Sequence, residues 1–197
     1  NIGQGVTGVQ RATSSGFGTG LFLADQNGLA VLIGYRSPYV FKTANAYFTG
    51  SFPTIAVGAA SIFLAQPATA NYFRVVALDA ETGVERWSYT YFDPSDGALS
   101  PLYDANNHLV YAFNTEGIVY ALDAHSGVLV WTVPLTPVLP VAPVLSGGLL
   151  LFSGTDSPIE FPNSQNVYVV AIDTLAAVQA AAAGQAVAPR WQFVIPS

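Results

Sequence analysis

The stretch of sequence that decides the fold lies at 77–87 and reads ALDAETGVERW. It returns 44 residues later as ALDAHSGVLVW at 121–131. A looser third copy opens with AIDT at 171–174 and resumes with PRW at 189–191. A sequence that repeats at such a period folds as a row of similar units, because each unit needs its neighbours to bury its apolar faces.

Each repeat unit contains four short apolar runs, which are separated by glycine, proline and polar residues. The runs are rich in valine, isoleucine, leucine, tyrosine and phenylalanine, the residues that favour pleated strands. Four strands in a unit of about 40–50 residues are typical of one blade of a β-propeller. We therefore predict an all-β chain of about four four-stranded antiparallel blades. The predicted units are a degenerate first blade at 1–52 and further blades at 53–95, 96–138 and 139–197.

An alanine-rich insert interrupts the third copy of the motif. Its aspartate and tryptophan, Asp173 and Trp191, are 18 residues apart, whereas those of the first two copies are eight apart. Alanine is the strongest helix former, and an aspartate is a good helix N-cap. We therefore expect a short helix near 175–184, within the insert at 175–188.

The connection at 154–166 is the longest between the second and third strands of any unit, and it is a candidate contact for a partner protein. It carries two acidic and two apolar side chains, and prolines stiffen it. Apolar residues on such a loop either contact a partner or fold back over the blade, and the sequence favours neither outcome. The four residues are Asp156, Ile159, Glu160 and Phe161.

The defining residues of the repeated motif have separate structural roles. The aspartate ends a strand, where its carboxylate accepts hydrogen bonds from turn amides. The glycine adopts the positive φ that reverses the chain. The tryptophan then stands on the outer strand, where an indole buries about 200 Å² against the next unit. We expect a structural docking set made of Asp79, Gly83, Trp87, Asp123, Gly127, Trp131, Asp173 and Trp191.

The pattern Ala-x-Asp-x-x-Thr/Ser-Gly-x-x-x-Trp resembles the tryptophan-docking motif of the pyrroloquinoline-quinone-type propeller repeat. Two copies match at each defining position, and the third lacks the Thr-Gly turn. The family includes quinoprotein dehydrogenases and a non-catalytic branch, to which the scaffold lipoprotein of the outer-membrane assembly machine belongs. Its closed rings have about seven or eight blades. The resemblance therefore implies that this chain forms part of a ring.

The composition excludes several classes of function. Only 9% of the residues are charged and the net charge is -6, so the basic stripe that nucleic acid requires is missing. There are no cysteines, which excludes disulfides, thiolate metal sites and a cysteine nucleophile. The most apolar tract, at 128–151, contains four prolines and therefore does not form a transmembrane helix.

We predict a non-catalytic propeller that works as a protein-interaction or scaffold module within a larger assembly, without a cofactor. One alternative is a fragment of a quinoprotein dehydrogenase that binds pyrroloquinoline quinone with calcium. Another is a structural subunit of an extracellular filament or large complex. The resemblance implies a periplasmic or extracellular location.

Four blades leave two uncovered end faces, and exposed sheet surface invites pairing with another chain. We therefore expect other polypeptide to complete the ring. The sequence leaves three sources open, namely the rest of a longer chain, a second copy or a different subunit.

Overall fold

The computed structural model describes residues 6–14, 18–25, 29–33, 38–42, 55–69, 71–80, 82–94, 101–135, 139–155 and 166–196. These residues form sixteen strands and one helix. The strands make four sheets of four strands each, and hydrogen-bonded neighbours are also neighbours along the chain. The prediction of four-stranded antiparallel units with one short helix is confirmed.

The four sheets follow one another along the chain. The first sheet contains β1 (Val6–Ser14), β2 (Gly18–Asp25), β3 (Leu29–Ile33) and β4 (Pro38–Lys42). The second contains β5 (Ile55–Gly58), β6 (Ser61–Thr69), β7 (Tyr72–Asp79) and β8 (Glu85–Phe92). The third contains β9 (Leu102–Asp104), β10 (Leu109–Phe113), β11 (Ile118–Asp123) and β12 (Leu129–Pro134). The fourth contains β13 (Leu139–Ser146), β14 (Leu149–Thr155), β15 (Val167–Asp173) and β16 (Trp191–Ile195).

The position of a strand within its sheet sets its burial. All five residues of β10 are buried, because neighbouring sheets cover both faces of this central strand. In the outer strand β8, Trp87 and Tyr91 are buried, whereas the residues that alternate with them point to solvent. This alternation follows from the two-residue period of a strand. Outer strands therefore have one face that is free to contact the next sheet.

Successive sheets pack face to face. Phe63 of the second sheet stacks on Tyr103 of the third, with ring centroids 5.6 Å apart. Phe113 of the third sheet meets Phe152 of the fourth edge to face at 5.4 Å. Strand β1 contacts β5, β5 contacts β9, and β9 contacts β13, so the first strands of the four sheets lie side by side. The sheets therefore form an arc around these first strands.

The helix α1 (Thr174–Ala182) lies within the alanine-rich insert, as predicted. Asp173 is its N-cap, because the side chain accepts a hydrogen bond from the amide of Ala176 at 3.0 Å. The helix ends before Gly184, which has a φ of +67°. It packs on β12, the outer strand of the third sheet.

Helix α1 has nine residues and is the only helix in the part of the chain that the structure describes. Within that part, no helix has the length and apolar character that crossing a membrane requires.

Candidate functional site

The candidate site is the set of junctions between sheets, and the second and third sheets each contribute an aspartate turn to it. In the second sheet, Asp79 Oδ1 accepts hydrogen bonds from the amide and the hydroxyl of Thr82, at 2.7 Å and 2.9 Å. In the third sheet, Asp123 Oδ1 accepts the same two bonds from Ser126, each at 2.7 Å. A carboxylate that accepts bonds from turn amides holds the turn in one conformation.

Glycine closes both turns. The amide of Gly83 donates to the carbonyl of Asp79, and that of Gly127 to the carbonyl of Asp123, each at 2.8 Å. The two glycines have φ angles of +71° and +73°, a region that L side chains rarely occupy. We call the segments at 79–83 and 123–127 the docking turns.

The fourth sheet keeps the aspartate and replaces the docking turn with α1. Asp173 Oδ1 accepts from the amide three residues later, as Asp79 does. Its Oδ2 accepts from Arg190 Nη1 at 3.1 Å, and Asp79 Oδ2 likewise accepts from Arg86 Nε at 3.1 Å. The hydrogen bond from the amide three residues after the aspartate therefore forms both in a docking turn and at the start of α1.

The junction between the second and third sheets joins Trp87 to the docking turn of the third sheet. Trp87 Nε1 donates to the carbonyl oxygen of Ala124 at 3.1 Å, and the side chain is 9% exposed. Its ring lies over Gly127, where an added Cβ would be 2.6 Å from the indole carbons. The indole therefore requires both a carbonyl acceptor and a glycine from the next sheet.

The junction between the third and fourth sheets has a different chemistry. Trp131 is 5% exposed and belongs to an apolar cluster with Ala177 of α1. Its Nε1 is buried without a hydrogen-bond partner among the described residues. The residue that corresponds to Ala124 is Thr174, which begins α1, so its carbonyl is directed along the helix as an intrahelical acceptor. Helix α1 therefore covers the indole of Trp131, and the carbonyl at this position is not available to accept from its Nε1.

The third tryptophan has no sheet against it in the described part of the chain. Trp191 is 42% exposed, although it pairs with Ala171 in the same register in which Trp87 pairs with Ala77. The docking role of Trp191 stays a prediction.

The two buried indoles allow a direct comparison of their N–H groups. We expect Trp87→Phe to lower the free energy of unfolding by about 2 kcal/mol more than Trp131→Phe, because only the first change breaks a buried hydrogen bond and orphans a carbonyl. Denaturant unfolding of both variants measures the difference. Equal losses would show that the N–H of Trp87 contributes nothing to the junction.

A set of positive-φ residues holds the motif aspartates within their own sheets, and the sequence does not reveal it. Ala60, His108 and Gly148 each precede the second strand of a sheet and have φ angles of 54° to 77°. Their carbonyls accept from the amides of the residues that follow the three motif aspartates, at 3.0, 2.9 and 3.0 Å. Only the glycine signals this conformation in the sequence. The spacing to the aspartate differs in each sheet, so no pattern in the sequence reveals the contact.

Polar side chains join the third sheet to the fourth next to α1. Asn107 Nδ2 donates to Asp104 Oδ2 at 2.7 Å and to Thr174 Oγ1 at 2.9 Å. The hydroxyl of Thr174 donates to the carbonyl of Gly148 at 3.0 Å, and Tyr111 donates to Asp104 at 3.0 Å. This network connects the aspartate of one sheet to the helix start of the next.

A second polar contact joins the second sheet to the third. Asp93 is fully buried, and its Oδ1 accepts from Thr115 Oγ1 at 2.6 Å. Asn114 Nδ2 donates to the carbonyl of Phe92 at 3.1 Å. These residues come from the end of β8 and the turn between β10 and β11, so this junction has hydrogen bonds in addition to the indole.

Two aspartates of the junctions have lowered pKa values. Burial raises the pKa of Asp104, but hydrogen bonds from Asn107, Tyr111 and two backbone amides outweigh burial and hold that pKa below 3.8. Hydrogen bonds from Ser126, its hydroxyl first, lower the pKa of Asp123 below 3.8. A carboxyl group whose pKa is lower in the folded state stabilises that state above its unfolded pKa.

We expect the protein to lose stability in acid. The contribution of Asp104 and Asp123 is fully present above about pH 4 and is lost as the pH falls through their lower, folded-state pKa values. Thermal unfolding from neutral to strongly acidic pH measures the loss. The Asp104→Asn variant should show a shallower acid dependence, and an unchanged dependence would contradict the assignment.

Residues 156–165 of the predicted partner loop lie outside the described residues, so Asp156, Ile159, Glu160 and Phe161 remain predictions from the sequence. Across the residues that the structure describes, no three His, Asp or Glu side chains come together as a metal site.

Comparisons with known proteins agree with this architecture. A family model of the PQQ type, described as outer membrane protein assembly factor BamB, matches residues 42–187. No match was found among curated protein sequences. The chain is similar to the solved structure of BamB from Moraxella catarrhalis, with 20% identity and a TM-score of 0.60 over 94% of this chain and 47% of that one.

Two other solved structures extend the comparison. The Dos1 propeller has 13% identity and a TM-score of 0.60, over 86% of this chain and 44% of that one. A quinohemoprotein alcohol dehydrogenase from Pseudomonas putida HK5 has 21% identity and a TM-score of 0.50, over 72% of this chain and 20% of that one. These likenesses confirm the β-propeller fold. The chain spans about half the length of the BamB and Dos1 structures.

Proposed function

This chain belongs to the family of the outer membrane protein assembly factor BamB, and from that premise we propose that it is a non-catalytic propeller module that binds proteins within a larger assembly. The observation that carries the proposal is the family match, which spans the second and third sheets and the first three strands of the fourth. The proposed setting is outside the cytoplasm, where outer membrane proteins are assembled.

The hydrogen bonds that the described aspartates accept support a structural function. Five aspartate side chains are described, and each accepts hydrogen bonds from this chain itself. Three belong to the motif turns, and two join sheets at their junctions. Each of these carboxylates therefore stabilises the fold. The five are Asp79, Asp93, Asp104, Asp123 and Asp173.

The described surface offers apolar side chains for protein contact. Val84 and Val128 occupy the same position after the two docking turns, and both are exposed. Tyr72 and Phe92 form an exposed edge-to-face pair with ring centroids 5.5 Å apart. Exposed apolar side chains that recur at one position along a repeat are suited to contact with a protein surface.

Complementation tests the proposal in a bacterial strain that lacks its own member of the family. The protein, exported to the periplasm, is expected to increase the amount of folded outer-membrane β-barrel protein, measured by heat-modifiable migration on gels. A soluble, protease-resistant product that accumulates there without raising this amount would contradict the proposal.

The likeness to a quinohemoprotein dehydrogenase favours one second candidate, a quinone-binding fragment. Titration of the purified protein with pyrroloquinoline quinone and calcium separates the two. We expect no change in the quinone absorbance spectrum. A saturable spectral shift that requires calcium would favour the dehydrogenase fragment over the binding module.

A further inference from the structure

Two of the three motif aspartates bind an arginine of their own sheet. Asp79 Oδ2 accepts a hydrogen bond from Arg86 Nε, and Asp173 Oδ2 accepts one from Arg190 Nη1, each at 3.1 Å. In both sheets the arginine directly precedes the motif tryptophan in the sequence. The carboxylate at this position of the repeat therefore binds a guanidinium group, whether a docking turn or a helix follows the aspartate.

The third motif aspartate, Asp123, lacks such an arginine. The residue before its tryptophan is Val130. The hydrogen bonds that its side chain accepts from described residues all end on Oδ1, and they come from the amides of His125 and Ser126 and from the hydroxyl of Ser126. The three arginines whose side chains the structure describes form ion pairs with other carboxylates. Within this part of the chain, no cation is paired with Asp123 Oδ2.

The backbone nevertheless places Val130 as it places Arg86. In the second and third sheets the motif tryptophan pairs with an alanine, and the next pair skips one residue of the outer strand. The skipped residue is Arg86 in the second sheet and Val130 in the third. A bulge of this kind redirects one side chain. The third sheet therefore has the backbone geometry of an arginine position but carries an apolar side chain there.

The residues that follow the docking turn of Asp123 are exposed and apolar. Val128 is 63% exposed, Leu129 38% and Val130 37%, although sheets lie on both sides of the third sheet and α1 packs on β12. The same positions of the second sheet, 84–86, read VER, so two charged residues are replaced by apolar ones. Three consecutive exposed apolar residues are unfavourable in water unless they serve a contact. We call Asp123 and Val128, Leu129 and Val130 the carboxylate patch.

The chemistry of the carboxylate patch selects its ligand. Hydrogen bonds from Ser126 lower the pKa of Asp123, so the carboxylate is charged at neutral pH while Oδ2 remains able to accept. An arginine combines a planar guanidinium, which suits a carboxylate, with an aliphatic stem that packs along apolar surface. Arginine is also the residue that the two equivalent aspartates bind.

We propose that the carboxylate patch binds an arginine side chain of a partner protein, with apolar residues next to that arginine in the partner. The guanidinium donates to Asp123 Oδ2 as that of Arg86 donates to Asp79, and the apolar neighbours contact Val128 and Leu129. One exposed ion pair contributes little by itself, so the charge and the apolar contacts act together. This inference rests on the proposed function, because it gives the chemistry of the protein that the module binds.

An NMR titration of the purified 197-residue protein with the peptide acetyl-Leu-Arg-Leu-amide tests the proposal. We expect weak, saturable shifts of the backbone amides of His125, Ser126 and Val130. A peptide with citrulline in place of arginine has nearly the same shape without the charge, and it should bind about fivefold more weakly. The absence of saturable shifts, or equal binding of the two peptides, would overturn the proposal.

The Val130→Arg variant supplies the missing arginine from the chain itself. It should bind the peptide about fivefold more weakly than the unaltered protein, because its own guanidinium occupies Asp123. The thermal stability of the variant should equal or exceed that of the unaltered protein. The control, Val144→Arg, adds the same charge at a position on the fourth sheet that is 53% exposed, and it should bind the peptide normally. Equal binding by the two variants would contradict the assignment.

The Asp123→Asn variant gives a second check. It removes the charge while keeping an oxygen that accepts from Ser126, so we expect a folded protein with weakened peptide binding. Retention of the arginine preference by this variant would overturn the proposal. Shifts of the same amides that depend on protein concentration without peptide would also overturn it, since a second copy would then occupy the carboxylate patch.

The peptide titration and the complementation experiment can fail separately. Complementation without peptide binding would overturn the carboxylate patch and leave the proposed function standing. Peptide binding that requires Asp123, in a protein that does not complement, would support the carboxylate patch and contradict the proposed function.

Discussion

Replacing Trp131 with alanine is expected to lower the free energy of unfolding by about 3–5 kcal/mol, as for other large buried side chains. The indole is almost completely buried between the third and fourth sheets, where it packs near Tyr111 with ring centroids 5.6 Å apart. Its loss leaves a cavity between two sheets whose apolar faces meet at this point. Since the side chain makes no hydrogen bond in the described structure, the loss is one of packing alone.

Urea unfolding followed by circular dichroism measures this effect. Phe92→Ala is the matched control, because Phe92 also lies on an outer strand but is exposed. We expect the control to cost about 1 kcal/mol or less. If the two variants were equally stable, Trp131 would not contribute to the contact between sheets.

The Gly127→Ala variant is expected to be destabilised by about 3 kcal/mol, because two costs combine. The φ of +73° is unfavourable for any residue with a Cβ, which accounts for about 1–2 kcal/mol. The added Cβ would also lie 2.6 Å from the ring of Trp87, and overpacking of this kind costs about 1–3 kcal/mol. The contact is with ring carbons of a side chain that is itself enclosed, so neither partner moves freely.

Gly147→Ala provides the control for the backbone cost. Gly147 has a φ of +57°, and no atom lies within 4 Å of the position of an added Cβ. Thermal or urea unfolding of both variants therefore separates the two contributions. Equal losses at the two positions would show that the ring of Trp87 does not press on Gly127.

These two substitutions test the two components of a junction, which are the inserted tryptophan and the surface that receives it. Trp131→Ala removes the inserted side chain, and Gly127→Ala fills the surface that receives one. Together they test whether the repeated motif stabilises the contact between sheets or only the local turn.

The local features of the motif could be predicted from the sequence. The hydrogen bonds of Asp79 and Asp123 to residues three positions later lie within a single turn, and the glycines that close these turns are identified by their residue type. Helix α1 follows from alanine content and an aspartate cap, which are also local properties. The four-stranded units follow from the repeat, since each strand pairs with its neighbour in the chain.

The polar contacts between sheets could not be predicted in this way. Asp93 reads as part of a polar turn, yet it is fully buried and bonded to Thr115, which is 22 residues away. Within a sheet, Ala60 and His108 likewise adopt positive φ without being glycines, and their carbonyls accept from amides at another strand end of the same sheet. Neither feature has a signal at a constant spacing.

The sequence by itself determined the repeat, the number of strands in each unit, the aspartate turns and the alanine-rich helix, because these depend on residues close together in the chain. Only the tertiary structure decided that three equivalent tryptophans have three different environments. Trp87 is hydrogen-bonded to a carbonyl 37 residues away, Trp131 is covered by a helix without an acceptor, and Trp191 is uncovered. The physical reason is that the burial of each tryptophan depends on the residues of the next sheet, and those residues lie outside the motif that contains the tryptophan.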